Sequence, residues 1–202
     1  MTDDPIPGAD PSSPGADQDM LWMEKVKNGD QEAFRLLIET HQARVIGTVA
    51  KMLGDDTDSE DIAQQVFIRV WNSAARYQPT AKFTTWLFKI TRNLVFNELR
   101  RRRRHPATHL EQDEEEHSFH SHDVNAPSPA ANMLDGELQA AIQRAIDSLP
   151  EAQRMAIILR RYEEMSYEEI ADVLKLSVPA VKSILFRARA DLRERLQKYL
   201  KD

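Results

Sequence analysis

With 202 residues the chain can form one large or two small domains, and with no cysteine it forms neither disulfides nor thiolate metal sites. No apolar run approaches the roughly 20 residues that cross a bilayer, and the N-terminus is acidic and proline-rich rather than signal-like. A soluble, cytoplasmic protein without membrane insertion is therefore expected. The net charge of −6 would argue against a nucleic-acid partner only if charge were evenly spread. It is not. Residues 1–19 carry five acids and no base, residues 20–104 carry 15 bases and 10 acids, residues 105–133 carry six acids and no base, and residues 134–202 carry 12 of each.

Residues 1–19 show no periodic apolar pattern and read as a disordered acidic tail, with structure starting near Met20. Phe34, Leu37, Ile38, His41, Val45, Val49 and Met52 keep one face of a long helix that breaks at Gly54-Asp55-Asp56. His41 on that face reads as a satisfied core histidine. A second helix runs from about Asp58 to Ala75, with Ala63, Val66, Phe67, Val70 and Ala74 as its core face. Ile62, Ile68 and Trp71 are then left over beside Asp61, Gln64 and Gln65. Either this helix is buried on two sides or the excess docks a partner; from the helix alone, burial is the favoured account.

The stretch from Phe83 to Arg104 carries two apolar stripes, Phe83/Leu87/Ile90/Leu94 and Phe88/Val95/Leu99. Between them run Trp86, Lys89, Asn93, Asn97 and Arg100, ending in five arginines. An aromatic face stacks on unpaired bases, amides read base edges and cations hold phosphates, so this edge has the equipment for single-stranded nucleic acid. A bundle helix with a basic solvated end is the competing account, and the arginine run alone would suit any polyanion. Residues 105–133 read as an acidic linker. Its histidines 105, 109, 117, 120 and 122 lack a predicted framework to fix a ligand geometry, so no metal or other cofactor is expected.

Beyond the linker, Leu138, Ala141, Ile142, Ala145, Ile146 and Leu149 mark one helix, and Pro150 starts another with Met155, Ile158, Leu159 and Tyr162 inward. Ser166 and Glu169 then have the spacing of a capping box. A short helix to Leu174, a break at Lys175-Leu176-Ser177 and a second helix with Pro179 in its first turn make a helix-turn-helix, with Ile170, Leu174, Leu176, Val181 and Ile184 as its core. Its second helix leaves Lys182, Ser183, Phe186, Arg187 and Arg189 outside that core. From Lys175 to Lys201 there are eight basic residues against Asp191 and Glu194, the charge of a helix that enters a major groove. No strand pattern appears. The expected fold is all-α: two small helical bundles on a flexible acidic linker.

Three ordered stretches, DSEDIAQQVFIRVW, FTTWLFKITRNLVFNELRRRRR and LPEAQRMAIILRRYEEMSYEEIADVLKLSVPAVKSILFRARADL, together resemble a bacterial RNA polymerase sigma factor of the extracytoplasmic-function group. The resemblance covers about residues 20–104 and 134–202. It implies that the first unit is sigma region 2 and the second sigma region 4, with core RNA polymerase and promoter DNA as partners and an anti-sigma protein as a common third. Asp61, Gln64, Gln65, Ile68 and Trp71 would dock on the clamp coiled coil of the polymerase's largest subunit, which reverses the burial preference for part of that helix. Trp86, Lys89, Asn93, Asn97 and Arg100 would capture the melted minus-10 element, with Asn93 at the family's base-contacting asparagine. Lys182, Ser183, Phe186, Arg187 and Arg189 would meet the minus-35 element, and the linker would thread the polymerase's RNA-exit channel.

The chain departs from the family pattern at Lys175, where glycine is usual in the turn, and at Pro179-Ala180, where Gly-Thr is common. The first costs about 1 kcal/mol if that turn is left-handed; the second removes a hydroxyl that could touch phosphate. The rival reading is a free-standing helix-turn-helix regulator that binds duplex DNA as a dimer, but neither a self-complementary helix nor a ligand pocket stands out. Nothing in the sequence supports an enzyme: there is no phosphate loop, acid–base pair or nucleophile setting.

Overall fold

Asp30 and Gly54 bound the helix on which the rest is assembled. In the computed structural model, which describes residues 14–55, 57–104 and 129–199 (the side chains of 14–17 and 129–136 excepted), this is α2, Gln31–Leu53. The Asp30 carboxylate accepts hydrogen bonds from the amides of Glu32 and Ala33 at 2.9 and 3.0 Å, satisfying two of the donors that a helix start leaves open. Gly54 ends the helix in the left-handed region at φ +79°, and a Cβ there would also meet the Asp147 carboxyl at 3.2 Å. Before α2 comes α1, Pro14–Lys27. The last six residues of the expected tail are thus helical, and residues 1–13 lie outside the described residues. What fixes α1 is partly polar: Asp19 is buried and its Oδ1 lies 2.9 Å from Nε2 of His41. Met23 and Val26 add the apolar contact.

Helix α3 is Ser59–Ser73, followed by a 3₁₀ turn Ala74–Arg76, and α4 is Phe83–Arg104. Ala63, Val66, Phe67, Val70 and Ala74 are buried as expected, and so is Ile62, which the spacing had left over; Ile68 is 58% exposed. Both stripes of α4 are covered: Phe83, Leu87, Leu94, Phe88 and Val95 are buried, with Ile90 and Leu99 partly so. The reason is that α4 packs on α2 and α3 and also on the helix Tyr167–Leu174 of the C-terminal unit. Its arginine-rich end is partly structural. Arg102 reaches Asp55, Asp58 at 2.7 Å and Glu98 at 3.0 Å, so one guanidinium clasps the α2–α3 turn to α4. Burial works against the charge of Arg102, but these hydrogen bonds outweigh it and raise its pKa; hydrogen bonds from Arg101, assisted by Arg102, lower that of Glu98.

The C-terminal unit comprises α5 (Pro129–Asp147), α6 (Glu151–Arg161), α7 (Tyr167–Leu174), α8 (Val178–Arg195) and a closing 3₁₀ turn, Gln197–Tyr199. Helix α5 therefore starts inside the span expected as linker; residues 105–128, with the five histidines, lie outside the described residues. The capping box is present in full: Glu169 N donates to Ser166 Oγ at 3.2 Å and Ser166 N to Glu169 Oε2 at 2.7 Å. Lys175 ends α7 at φ 58°, ψ 46°, and Ser177 caps α8. Among the described residues every regular element is helical.

Two core expectations for this unit are corrected. Tyr162 is 45% exposed, its ring under the Lys51 ammonium at 4.7 Å, while Ala156 and Ile157 are buried instead. Leu176 is 39% exposed because it sits in the turn, and Ile184 is only partly buried; Val181, Leu185 and Ala188 share the inner face of α8. Leu185→Ala is expected to lower the unfolding free energy by about 2–5 kcal/mol, as deletion of a buried leucine does. Leu176→Ala should cost under about 1 kcal/mol, and denaturant midpoints of the two variants check the assignment.

The two bundles are not merely tethered; one apolar core runs through both. The Glu163 carboxylate, 5% exposed, accepts from Arg44 Nε at 2.8 Å and Thr48 Oγ1 at 3.0 Å, both on α2. Arg154 of α6 donates to the carbonyls of Met52 at 2.7 Å, of Leu149 at 3.4 Å and of Asp147. A cation thus caps the C-terminal ends of α2 and α5 together, where unpaired carbonyls and the helix dipole favour it. Burial lowers the Arg154 pKa, with Asp147 and Glu151 opposing.

Candidate nucleic-acid and partner surfaces

Of the apolar excess on α3, Ile62 is buried, Trp71 partly buried and Ile68 exposed, and the open part has a second wall. Gln64, Ile68 and Trp71 of α3 and Phe34, Ile38, Gln42 and Ile46 of α2 line an open groove of about 810 Å³. Trp71 is held there by Phe34, their ring centroids 5.0 Å apart. Asp61 and Gln65 are exposed on the same helix without lining the groove. The α2 wall is what residue spacing misassigned: Phe34 and Ile38 belong to the groove margin rather than to the deep core. The signal was available, since α2 carries Phe34, Ile38 and Ile46 in addition to the buried Leu37, His41, Val45, Val49 and Met52, more than one core face needs.

On α4 the expected edge exists, in two halves. Asn93, Asn97 and Arg100 are exposed; Trp86 and Lys89 are partly buried. Arg92 Nη2 donates to Asn93 Oδ1 at 2.7 Å while its guanidinium lies 5.6 Å from the Phe96 ring centroid. This ties down the carbonyl end of Asn93, a residue that is itself exposed, a pairing that residue spacing did not suggest. Burial lowers the Arg92 pKa. Arg100 Nη1 reaches Asn97 Oδ1 at 3.4 Å. Trp86 packs edge-on to buried Tyr77 at 5.0 Å and against Phe83 at 6.0 Å, so its position is set by an aromatic cluster that extends to His41, 5.3 Å from Phe83. Of the five terminal arginines, Arg101 pairs with Glu98 at 2.7 Å, Arg103 with Glu151 at 2.9 Å and Arg102 with the cluster described above; Arg100 and Arg104 are exposed.

On α8, Lys182, Ser183, Phe186, Arg187 and Arg189 are all exposed, with Phe186 at 74%. The helix turns Val181, Leu185 and Ala188 inward, so these five share its outer side. An exposed phenylalanine among cations suits a duplex groove, where an apolar ring can meet thymine methyl groups and cations the phosphates. Among the described residues no group of histidine and carboxylate side chains could hold a metal ion, and no helix is long and apolar enough to cross a membrane.

Comparison with known proteins matches residues 37–105 to Sigma-70 region 2 and residues 139–192 to Sigma-70, region 4. The RNA polymerase sigma-H factor of Pseudomonas aeruginosa is 34% identical over 92% of this chain and 97% of its own length. The ECF RNA polymerase sigma-E factor of Escherichia coli K12 is 35% identical over 89% of this chain and 94% of its own. Among solved structures, CnrH in complex with the cytosolic domain of CnrY is 26% identical, with a TM-score of 0.66 over 90% of this chain and 98% of that one. The sigma factor RpoE of Bartonella quintana, in complex with the anti-sigma factor NepR, shares the fold at 22% identity and a TM-score of 0.65 over 81% of this chain and 96% of that one.

Proposed function

This chain belongs to the sigma-70 family, in its extracytoplasmic-function group, and directs promoter-specific transcription as a sigma factor; we propose that it divides this work among three surfaces. The α2–α3 groove, with Asp61, Gln64, Gln65, Ile68 and Trp71, docks on core RNA polymerase. The edge of α4 from Trp86 to Arg100 captures the melted minus-10 strand. The outer side of α8 reads the minus-35 duplex. The unit spanning about residues 20–104 is then region 2, and that spanning about 134–202 region 4. All of this is binding rather than covalent chemistry, and its place is the cytoplasm, with the polymerase. The observation that carries the reading is the order of two family regions, each with one exposed face of matching chemistry: amides and cations on α4, cations and one aromatic ring on α8.

An anti-sigma protein is the expected regulatory partner, as the structurally similar RpoE has NepR. The decisive experiment is reconstitution: purified chain added to core polymerase should yield promoter-dependent transcripts, whereas DNA binding without transcripts would favour a free-standing regulator. Within that holoenzyme, Lys182→Ala is expected to lower discrimination between a minus-35 duplex and a random duplex by about 1–3 kcal/mol. Competition binding measures it, and equal losses on both duplexes would reassign Lys182 to the phosphate backbone.

A further inference from the structure

The aromatic cluster around Trp86 ends in a buried polar pair that reaches another helix. Asp19 lies on α1, before the residues 37–105 that match region 2. It is 5% exposed and His41 3%, with Oδ1 of the one 2.9 Å from Nε2 of the other. A buried carboxylate is costly without a partner, so the fold is held to the arrangement that keeps these two together. That fixes the imidazole, whose ring centroid is 5.3 Å from Phe83, and Phe83 in turn is 6.0 Å from Trp86. Tyr77 completes the cluster, 5.0 Å from Trp86 and 6.4 Å from Phe83. Its hydroxyl is buried and has no hydrogen-bond partner among the described residues, so its ring is placed by packing alone. Burial raises the phenol's pKa, and the nearby Asp19 charge raises it further. Helix α1 also packs on α4 and on the 3₁₀ turn that leads into Tyr77.

Trp86 is the aromatic member of the α4 edge, and a ring that must first be ordered loses part of what stacking on a base returns. We propose that Asp19 and His41 are positioning residues for promoter opening. By fastening α1 beside Phe83 and Tyr77, they hold the Trp86 ring in the attitude at which it meets the parting strands. This inference rests on the reading of α4 as the strand-capturing edge. Both residues are buried, so neither touches DNA and their effect passes through Trp86. Helix α1 thereby joins the opening machinery, although it carries no strip of amides or cations of its own.

The test has two arms, both on the full-length chain. The first reads Trp86 in the free chain. With Trp22 and Trp71 replaced by phenylalanine, it is the one tryptophan left of three, and acrylamide quenching of its fluorescence reports how well the ring is held. His41→Gln keeps an amide donor for Asp19 but removes the ring that packs on Phe83, and should raise the quenching constant. Asp19→Asn, which keeps an oxygen acceptor for His41, should match the parent. The second arm measures opening by holoenzyme. His41→Gln should form about two- to tenfold fewer open complexes on duplex promoter, the range of one aromatic contact, with closed complexes and core-polymerase binding unchanged. A promoter with a pre-melted bubble should restore it. In a Trp86→Ala background His41→Gln should add nothing further, because the two act through one group. A pair that serves stability alone gives a different pattern: losses shared by core binding, duplex and bubble, and undiminished in the Trp86→Ala background. That pattern, or unchanged quenching, would overturn the proposal. If His41→Gln does not fold, Asp19→Ala, which leaves the α2 and α4 side chains in place, repeats both arms. Failure of the strand-capture reading would show separately, as Trp86→Ala holoenzyme that opens duplex promoter like the parent whatever the quenching shows, and it would remove the pair's role in opening as well.

Discussion

Ile68→Asp is expected to abolish association with core RNA polymerase while leaving the thermal melt of the chain nearly unchanged. Ile68 is 58% exposed at the rim of an apolar groove, so folding gains little from it, and a carboxylate at that position stays hydrated in the free chain. On docking, that carboxylate would have to be stripped of water without a partner, which costs several kcal/mol. Loss of an interface hot spot of about 2–4 kcal/mol corresponds to roughly 30- to 1000-fold in Kd. Co-purification with core polymerase and a circular dichroism melt decide it, and a large fall in melting temperature would make Ile68 a folding residue. Trp71 is a different case. Its ring is held against Phe34, so Trp71→Ala should weaken both docking and stability.

The second large effect is on strand opening. Taking a base from the stack costs a few kcal/mol, and base–aromatic stacking returns about 1–3 kcal/mol per base, so the balance is close and one lost contact is felt in opening before initial binding. Asn93→Ala in the holoenzyme is expected to leave closed-complex formation within a few fold and to reduce open complexes sharply, read as permanganate reactivity of thymines near the start site. The exposed Asn93, its carbonyl end held by Arg92, suits a base-reading role. A pre-melted bubble should rescue much of the Trp86→Ala defect and little of the Asn93→Ala defect. Because Trp86 also packs on Tyr77 and Phe83, its replacement should lower the melting temperature as well. Unimpaired opening by both variants would reduce this edge to a solvated face.

Periodicity carried most of the helical architecture, because each bundle buries stripes whose spacing is local. Val66 and Val70, or Ile170 and Leu174, are apolar at helical intervals and end up inside. What spacing could not separate were apolar residues of the same type on different sides. Ile62 is buried and Ile68 is not, since which side is covered depends on a neighbour distant in the chain, and Leu176 is left open by its place in the turn between α7 and α8. Helix α1 was hidden for another reason: it is fastened by Asp19 on His41, a polar pair that no apolar pattern marks. The seam between the bundles was the least legible. Arg154 on Met52 O joins positions 102 residues apart, and an arginine in a helix looks the same whether it caps another helix or faces water. For the candidate surfaces, residue chemistry picked out the exposed strip and the exposed side of α8, whereas Arg102, which reads as part of a polyanion-binding run, is committed to carboxylates.

A groove of about 810 Å³ walled by Phe34, Ile38 and Trp71 is also of the size and character that admits drug-sized molecules, roughly 300–1,000 Å³ with apolar and aromatic walls. Most protein-docking faces are too flat to offer a small molecule such purchase. A compound seated there would act as a competitive antagonist of polymerase recruitment and leave both DNA-reading surfaces untouched. Resistance to it would tend to carry its own penalty, since a substitution that expels the ligand from beside Ile68 and Trp71 also alters the face the polymerase must grip.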